Sequence, residues 1–175
     1  MDLLNLYDRA SAWTTEKVAG AADRLDVPTT NDGWDVRALL NHMLETQRFF
    51  LATARGEDGT LSPEPPDLLS DDPVTDLRTA QAEVRSAYAE DGVIERTGPS
   101  LGIAFADQLL HGWDLARATG QDTTMPEDLA AAAFQMLDGR LTDDQRKGGF
   151  KPEVPVADDA PVQDRLLGYT GRDPR

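Results

Sequence analysis

Cysteine is absent from the 175 residues of this chain, and histidine occurs only as His42 and His111. The absence of cysteine excludes disulfide frameworks, cysteine-ligated zinc or iron–sulfur sites and thiol nucleophiles. Basic residues are also scarce, since 17 Lys and Arg are set against 32 Asp and Glu and leave a formal charge of −15. This charge argues against binding to nucleic acid or to anionic membranes, which needs clustered cations. Any chemistry that needs imidazole must use one or both of the two histidines.

Long apolar runs and a signal sequence are lacking as well. No run approaches the ~18 apolar residues that a membrane span requires. The chain begins Met-Asp-Leu-Leu-Asn, without the basic and then apolar segments of a signal peptide. Hydrophobic residues make up 39% of the chain, enough to exclude wholesale disorder. We therefore expect a cytoplasmic protein without nucleic-acid or membrane partners, and the length predicts one domain over residues 1–175.

Helical periodicity dominates the chain, and no segment shows the sustained alternation of a strand. The proline-rich segment 56–72 is longer than most structureless loops, which favours a lid or a crossover. Long helices with short joints and one long connection predict an all-α four-helix bundle with one crossover, plus peripheral helices. The predicted helices are Leu4–Leu25, Val36–Ala54, Val74–Glu90, Leu101–Thr119 and Glu127–Asp138, with a short helix at Pro161–Leu167 in an irregular tail, residues 141–175.

The fourth predicted helix carries two carboxylates and a histidine on one apolar face. At 100° per residue, His111 lies about 40° to one side of Asp107 and Asp114 about 20° to the other. A carboxylate buried on such a face needs a compensating partner. An acid and a histidine four residues apart can bind one ion from successive turns, as in metal sites of helical bundles. The same spacing also suits a hydrogen-bonded pair or a salt bridge without any metal.

His42 lies on the second predicted helix, roughly 130° from the centre of the main apolar arc. This is a flank where a bundle helix turns towards a second neighbour, although a lone flank histidine is usually solvated or satisfied within the core. The coincidence of both histidines on faces that can point inward favours a shared site. Two imidazoles, one carboxylate and open positions for water suit zinc, nickel, iron or manganese.

Five further residues are candidates for a supporting role around such a site. Asp114 could orient a ligating imidazole, or it could instead pair with Arg117 or Arg37. Trp34 and Trp113 are interpreted as packing residues, with pocket lining as the alternative. The two arginines are interpreted as solvated or paired at the surface, with binding of an anionic substrate group as the alternative.

Two motifs and the tail resemble a known group of proteins. The stretch 28–42, with Gly-Trp-Asp-Val-Arg at 33–37, resembles the entry to the second helix in the DinB-like superfamily. The closest branch contains the N-terminal domain of mycothiol-dependent maleylpyruvate isomerase, whose fourth helix is similar to His-Gly-Trp-Asp-Leu-Ala-Arg at 111–117. Residues 154–172 resemble the ending of an actinobacterial group of small metal-binding proteins in that branch. Together these matches span nearly the whole chain.

The resemblance implies a divalent metal held by His42, Asp107 and His111, with zinc expected and nickel, iron or manganese as alternatives. The isomerase has Glu at the carboxylate position, so the shorter Asp107 departs from its pattern and leaves the identity and affinity of the metal open. The chain matches only the N-terminal domain of the isomerase, and maleylpyruvate isomerisation itself is therefore not implied.

Members of the superfamily with known activity use the metal to bind a low-molecular-weight thiol, mycothiol or bacillithiol, as thiolate and then transfer or add it to an electrophile. The resemblance thus implies a metal that activates a low-molecular-weight thiol or water, in a metal-dependent thiol S-transferase or an isomerase-like enzyme. Mycothiol is the expected co-substrate, and a small electrophile is the second substrate. Relatives often dimerise through their helices, although no motif here indicates a homodimer. The alternative is a non-enzymatic metal-binding or stress-associated protein whose metal site is structural or vestigial.

Overall fold

Helices are the only regular secondary structure in the part of the chain that the computed structural model describes, residues 2–141, 146 and 150–175. An isolated β-bridge between Pro28 and Asp35 is the sole strand-like pairing in those ranges. The predicted all-helical fold is therefore confirmed for these residues. The helices are α1 (Leu3–Ala21), α2 (Val36–Arg55), α3 (Pro73–Tyr88), α4 (Val93–Thr97), α5 (Ser100–Thr119), α6 (Glu127–Leu137) and α7 (Val162–Tyr169).

Local capping sets the ends of the two helices that carry the histidines. At the start of α2, Oδ1 of Asp35 accepts a hydrogen bond from the backbone amide of Ala38 at 2.8 Å. Such a carboxylate satisfies one of the free amides of the first turn and meets the positive end of the helix dipole. Helices α2 and α5 are followed by Gly56 and Gly120, whose φ angles of 75° and 68° lie in the left-handed region that favours glycine.

Four of the helices pack against one another, since α1 and α2 each contact both α3 and α5. Their inner faces form an apolar core, and the side chains in it are removed almost completely from water. Burying one such side chain contributes about 1.5–3 kcal/mol. Helix α2 also contacts α5, so the faces that carry the two histidines can meet. Core members include Val18, Val36, Leu39, Leu40, Leu77 and Leu115.

A buried polar network ties α5 to α1 and α3 beside this core. Nε2 of Gln81 on α3 donates to Oε1 of Gln108 on α5 at 2.8 Å, while Oε1 of Gln81 accepts from Thr15 on α1 at 3.1 Å. The amide of Gln108 also donates to Oγ of Ser11 at 3.1 Å. Buried polar groups that are paired in this way specify one arrangement of the helices, because any other arrangement leaves them unsatisfied.

The first helix ends earlier than predicted, and one short helix was not predicted. Helix α1 ends at Ala21 rather than at Leu25, because the chain turns there and uses its next carbonyls to support α2. The carbonyls of Leu25 and Val27 accept hydrogen bonds from the amides of Arg37 and Val36, each at 2.9 Å. Helix α4 was not predicted, since five residues are too few to show a periodic pattern.

The connection between α2 and α3 lies along α2. Oδ1 of Asn41 accepts hydrogen bonds from the amides of Leu68 and Leu69, at 2.7 and 3.0 Å. One turn further along α2, Oε1 of Glu45 accepts from the amide of Ser62 at 3.0 Å. The segment predicted as a lid or crossover, residues 56–72, is thus attached to the helix that carries His42.

Contacts divide the chain into two compact units, Met1–Thr124 and Met125–Arg175. Within the second unit α6 packs against α7, and the rings of Phe134 and Tyr169 meet edge to face with centroids 5.9 Å apart. Residues 142–145 and 147–149 of the predicted irregular tail lie outside the described residues. The single domain over residues 1–175 stays a prediction. None of the described helices has both the length and the apolar character that a membrane span needs.

Candidate metal centre

Two contacts fix the register between α2 and α5. The hydroxyl of Thr46 lies 3.0 Å from Oδ2 of Asp107, to which it donates, and the ring centroids of His42 and His111 are 5.0 Å apart. Moving four residues forward along α2 therefore corresponds to moving four residues back along α5. The two helices run antiparallel here, and the histidine of one lies opposite the histidine of the other.

This register gathers His42, Asp107 and His111 into one cluster. Each residue offers one ligand atom, and these atoms all lie within 4.8 Å of one another. The side chains of His111 and Asp107 are 12% and 21% exposed, so the cluster is sheltered and still reaches solvent. Two imidazoles and one carboxylate form a donor set that suits a divalent transition metal. The three side chains could therefore hold a metal ion.

Carboxyl groups lie beside both ring nitrogens of His111. Its Nε2 atom is 3.3 Å from Oδ1 of Asp107, and its Nδ1 atom is 3.1 Å from Oδ2 of Asp114, which is fully buried. The hydrogen bond from Thr46 to the other oxygen of Asp107 leaves Oδ1 directed at the imidazole. A ligating histidine usually gives its second N–H to such an acceptor, which fixes the ring and its tautomer.

These contacts decide the protonation of His111 in the absence of a metal. Burial favours the neutral imidazole, but the charge of Asp107 and the hydrogen bonds to Asp107 and Asp114 outweigh it and raise the pKa of His111 to about 9. Burial likewise opposes ionisation of Asp107, yet the neighbouring His111 lowers the pKa of this carboxyl below its usual range. At neutral pH the metal-free site therefore contains an ion pair in which His111 is an imidazolium.

His42 is in the opposite protonation state. Burial and the nearby charge of His111 lower the pKa of His42 to about 4, so this imidazole is neutral at neutral pH. The indole of Trp34, in the turn before α2, lies against it with ring centroids 4.9 Å apart and a 52° tilt. The Nδ1 atom of His42 is buried and has no hydrogen-bond partner. A neutral imidazole is the form that binds metals, so His42 needs no deprotonation to serve as a ligand.

The other predicted site residues divide into two groups. Trp34 contacts His42, and Asp114 contacts His111. Trp113 is 2% exposed and lies within the core. Arg117 is exposed, and its guanidinium lies 6.0 Å from the centroid of the Trp113 ring. Arg37 is exposed in the first turn of α2. Trp113 and Arg117 thus lie against each other, and Arg37 lies at the surface of α2.

Two residues near the cluster were not identified from the sequence. Thr46 supports Asp107, and its position four residues after His42 on the same helix face was the available signal. Glu45 is 6% exposed, with one carboxylate oxygen bonded to the amide of Ser62. A glutamate on an amphipathic helix is ordinarily solvated, so only the close spacing to His42 could have pointed to it.

The chain is similar to two proteins of Mycobacterium tuberculosis, which are described as the uncharacterized proteins Rv0738 and MT0763. Each is 29% identical to it over 98% of this chain and 98% of the relative. No protein-family profile matches the chain, and no solved structure matches it. The likeness thus extends over nearly the whole length of each chain, and the relatives are actinobacterial proteins.

Proposed function

We propose that this chain is a DinB-like metal-binding protein whose divalent metal, zinc in the first instance, is held by His42, Asp107 and His111. The observation that carries the proposal is the approach of three ligand atoms, from two helices, to within 4.8 Å of one another. The paired packing of α1, α2, α3 and α5, with a long connection after α2, supports a four-helix bundle of this kind. The sequence resemblance at residues 28–42 and 111–117 supports the same assignment.

The activity that we propose is transfer of a low-molecular-weight thiol, such as mycothiol, to a small electrophile. A divalent metal at the three ligands would lower the pKa of a thiol or water bound to it. In the transfer, the thiol loses its proton to solvent, its sulfur forms a bond to the electrophilic carbon, and a leaving group departs with the electron pair of the broken bond. Because the chain has no cysteine, the sulfur must come from a separate molecule.

The protein's own residues have distinct parts in this proposal. Asp114 holds His111 by its Nδ1 atom and leaves Nε2 directed at the cluster. Thr46 holds Oδ2 of Asp107, and Oδ1, which lies beside Nε2 of His111, is the oxygen that would bind the metal. The indole of Trp34 lies against the ring of His42 and limits the positions that the imidazole can take. These contacts orient the three ligands, and the partial exposure of Asp107 and His111 provides access for a small molecule.

One observation favours a second candidate, a non-enzymatic metal-binding or stress-associated protein with a structural or vestigial site. Asp107 and Asp114 satisfy both ring nitrogens of His111 without any metal. A site whose imidazolium is already paired with carboxyl groups can be retained for stability alone. The two candidates share the ligands and differ in whether an added thiol binds and reacts.

Metal analysis of the purified protein tests the ligands. We expect one zinc per wild-type chain after loading and removal of excess metal, and its loss in His42→Ala, Asp107→Ala and His111→Ala. The exposed Asp91→Ala variant removes a carboxylate elsewhere and should keep its metal. Stoichiometric metal in all three ligand variants would overturn the assignment.

A thiol-consumption assay separates the two candidate functions. Mycothiol and a panel of small electrophiles are incubated with the zinc-loaded protein, the metal-free protein and the His111→Ala variant. Thiol transfer predicts consumption with the loaded wild type only. A loaded wild type that leaves the thiol unreacted with every electrophile would support the non-enzymatic candidate.

A further inference from the structure

Each histidine of the cluster is followed, three residues later on the same helix, by a buried carboxyl group. On α5 His111 is followed by Asp114, which is fully buried, and on α2 His42 is followed by Glu45, which is 6% exposed. The first pair forms a hydrogen bond at the Nδ1 atom of its histidine, 3.1 Å long. The second pair has the same spacing and forms no such bond in this structure.

The second pair, His42 and Glu45, contains a donor and an acceptor that both lack a hydrogen-bond partner. Among the buried side-chain nitrogen and oxygen atoms of the described residues, three have no hydrogen-bond partner: Nδ2 of Asn31, Nδ1 of His42 and Oε2 of Glu45. A ring N–H is a donor, and a carboxylate oxygen is an acceptor. A buried polar group without a partner lowers the stability of the fold. Two such groups, on His42 and Glu45, three residues apart, therefore call for an explanation.

Their positions allow a direct bond. Side chains three residues apart on a helix are neighbours, with Cβ atoms about 5–6 Å apart. The charge of Glu45 acts on the His42 imidazole at this separation. The amide of Ser62 already holds Oε1 of Glu45 at 3.0 Å, which leaves Oε2 as the oxygen available for the histidine. We therefore infer that a change in side-chain torsions can bring Nδ1 of His42 and Oε2 of Glu45 together.

We propose that Glu45 is the positioning residue of His42 and accepts a hydrogen bond from its Nδ1–H when a metal occupies the cluster. His42 then presents Nε2 to the metal, as His111 does through its bond to Asp114. The inference rests on the proposed metal ligands and adds to them the choice of ligand atom and the residue that fixes it. The two histidines are thereby oriented in the same way, each by a carboxylate three residues later.

The tautomer of His42 in the unmutated protein provides the first test. In protein labelled with ¹⁵N at histidine and loaded with Zn²⁺, we expect Nδ1 of His42 to carry a proton and Nε2 to show the shift of a zinc-bound nitrogen. A zinc-bound Nδ1 in His42 would overturn the inference. This measurement needs no variant, so it holds even where a substitution at Glu45 prevents folding.

The affinity for Zn²⁺ provides the second test, measured by competition with a chromophoric chelator. Glu45→Gln replaces one carboxylate oxygen by an NH₂ group, which donates and cannot accept. With its remaining oxygen bonded to Ser62, the side chain then has no acceptor at the position of Oε2 for His42. We therefore expect a 10–100-fold weaker affinity, the usual effect of losing such an outer partner. The His42 Nδ1–H resonance should shift in the same variant. Glu83→Gln makes the same change at an exposed position of α3 and should leave both unchanged.

The outcomes distinguish this inference from the proposed function. If the wild type fails to bind Zn²⁺, the metal site itself is wrong, and the role of Glu45 is wrong with it. If the wild type binds Zn²⁺ through His42, Asp107 and His111 while Glu45→Gln has unchanged affinity and an unchanged His42 resonance, only the role of Glu45 is wrong.

Discussion

The Nε2 atom of His111 lies 3.3 Å from Oδ1 of Asp107, one turn earlier on the same helix, while Asp114 lies 3.1 Å from its Nδ1 atom. Both ring nitrogens therefore face acceptors, and without a metal His111 is protonated at both of them at neutral pH. A metal that binds Nε2 must displace the proton from this atom, whereas Nδ1 keeps its proton and its bond to Asp114. Proton and metal compete for one atom, which makes the pH dependence of the site predictable.

We predict that metal binding at neutral pH releases about one proton. His111 has a pKa of about 9 and must lose a proton to become a ligand, whereas His42, with a pKa of about 4, is already neutral. Mass action then raises the apparent affinity by about tenfold per pH unit until the pH approaches the pKa of His111. Calorimetric titration with Zn²⁺ in buffers of different ionisation enthalpy measures the number of protons released.

Asp114→Asn is the matched variant for this titration. Its amide keeps the size of the side chain and removes the charge beside Nδ1, so the pKa of His111 should fall. The rise of affinity with pH should then level off at a lower pH than in the wild type. Release of no proton from the wild type at pH 7 would contradict the imidazolium assigned to the metal-free site.

The stability of the metal-free protein should have a pH dependence with two limbs. Between about pH 4 and 6.5 the unfolded chain binds a proton at His42 that the folded chain excludes, so this residue makes stability rise with pH. Between 6.5 and about 9 the folded chain keeps a proton on His111 that the unfolded chain has lost, so the stabilising ion pair is lost as pH rises. The contribution of the two histidines is therefore greatest near pH 6.5.

Thermal unfolding in the presence of a chelator checks both limbs. His42→Gln should lose the part of the acid limb that comes from this histidine, and His111→Gln should lose the corresponding part of the alkaline limb. Because other carboxyl groups also titrate in acid, each variant is compared with the wild type at the same pH. An alkaline limb that is unchanged in His111→Gln would show that another group is responsible.

The sequence predicted what lies on one helix more completely than what lies between helices. The 100° rotation per residue places Asp107, His111 and Asp114 on one face, and the structure shows both carboxyl groups against the imidazole. The helical pattern likewise located α2 and α5 to within a residue or two. Local geometry is repeated along a helix, so spacing alone carries this information.

Relations between helices depend on packing that no local pattern specifies. The sequence placed His42 on a flank of α2, but the register that brings it opposite His111 comes from tertiary contacts such as the one between Thr46 and Asp107. The early end of α1 has the same origin, since the carbonyls after it support the first turn of α2. Glu45 was overlooked because burial of a glutamate follows from the covering segment at Ser62, which is remote in sequence.

Trp34 should report metal binding by its fluorescence. Its indole lies 4.9 Å from the His42 ring, whereas Trp113 is buried in the core and Trp13 lies on α1. A paramagnetic ion such as Ni²⁺ at the cluster should quench the emission of Trp34 most strongly because quenching falls steeply with distance. Titration with Ni²⁺ should therefore remove part of the total emission at one equivalent.

Trp34→Phe provides the control for this titration. It should keep metal binding by the three ligands, measured by metal analysis, and lose most of the quenching. His42→Ala should lose the quenching together with the metal. Equal quenching in the wild type and in Trp34→Phe would place the bound ion away from His42 and closer to another tryptophan.

The buried glutamine pair should be important for stability independently of the metal. Gln81 is 6% exposed, and its side chain bonds to Thr15 and to Gln108, the residue that follows Asp107 on α5. Gln81→Ala leaves these buried partners unsatisfied, which costs roughly 1–3 kcal/mol for each group that water cannot reach.

Urea unfolding of the metal-free protein should show this loss, while Glu83→Ala, an exposed change on the same helix, should stay within about 0.5 kcal/mol of the wild type. A loss for Gln81→Ala as small as that of Glu83→Ala would mean that the network does not hold α5 against α1 and α3, and another contact would have to fix the position of Asp107.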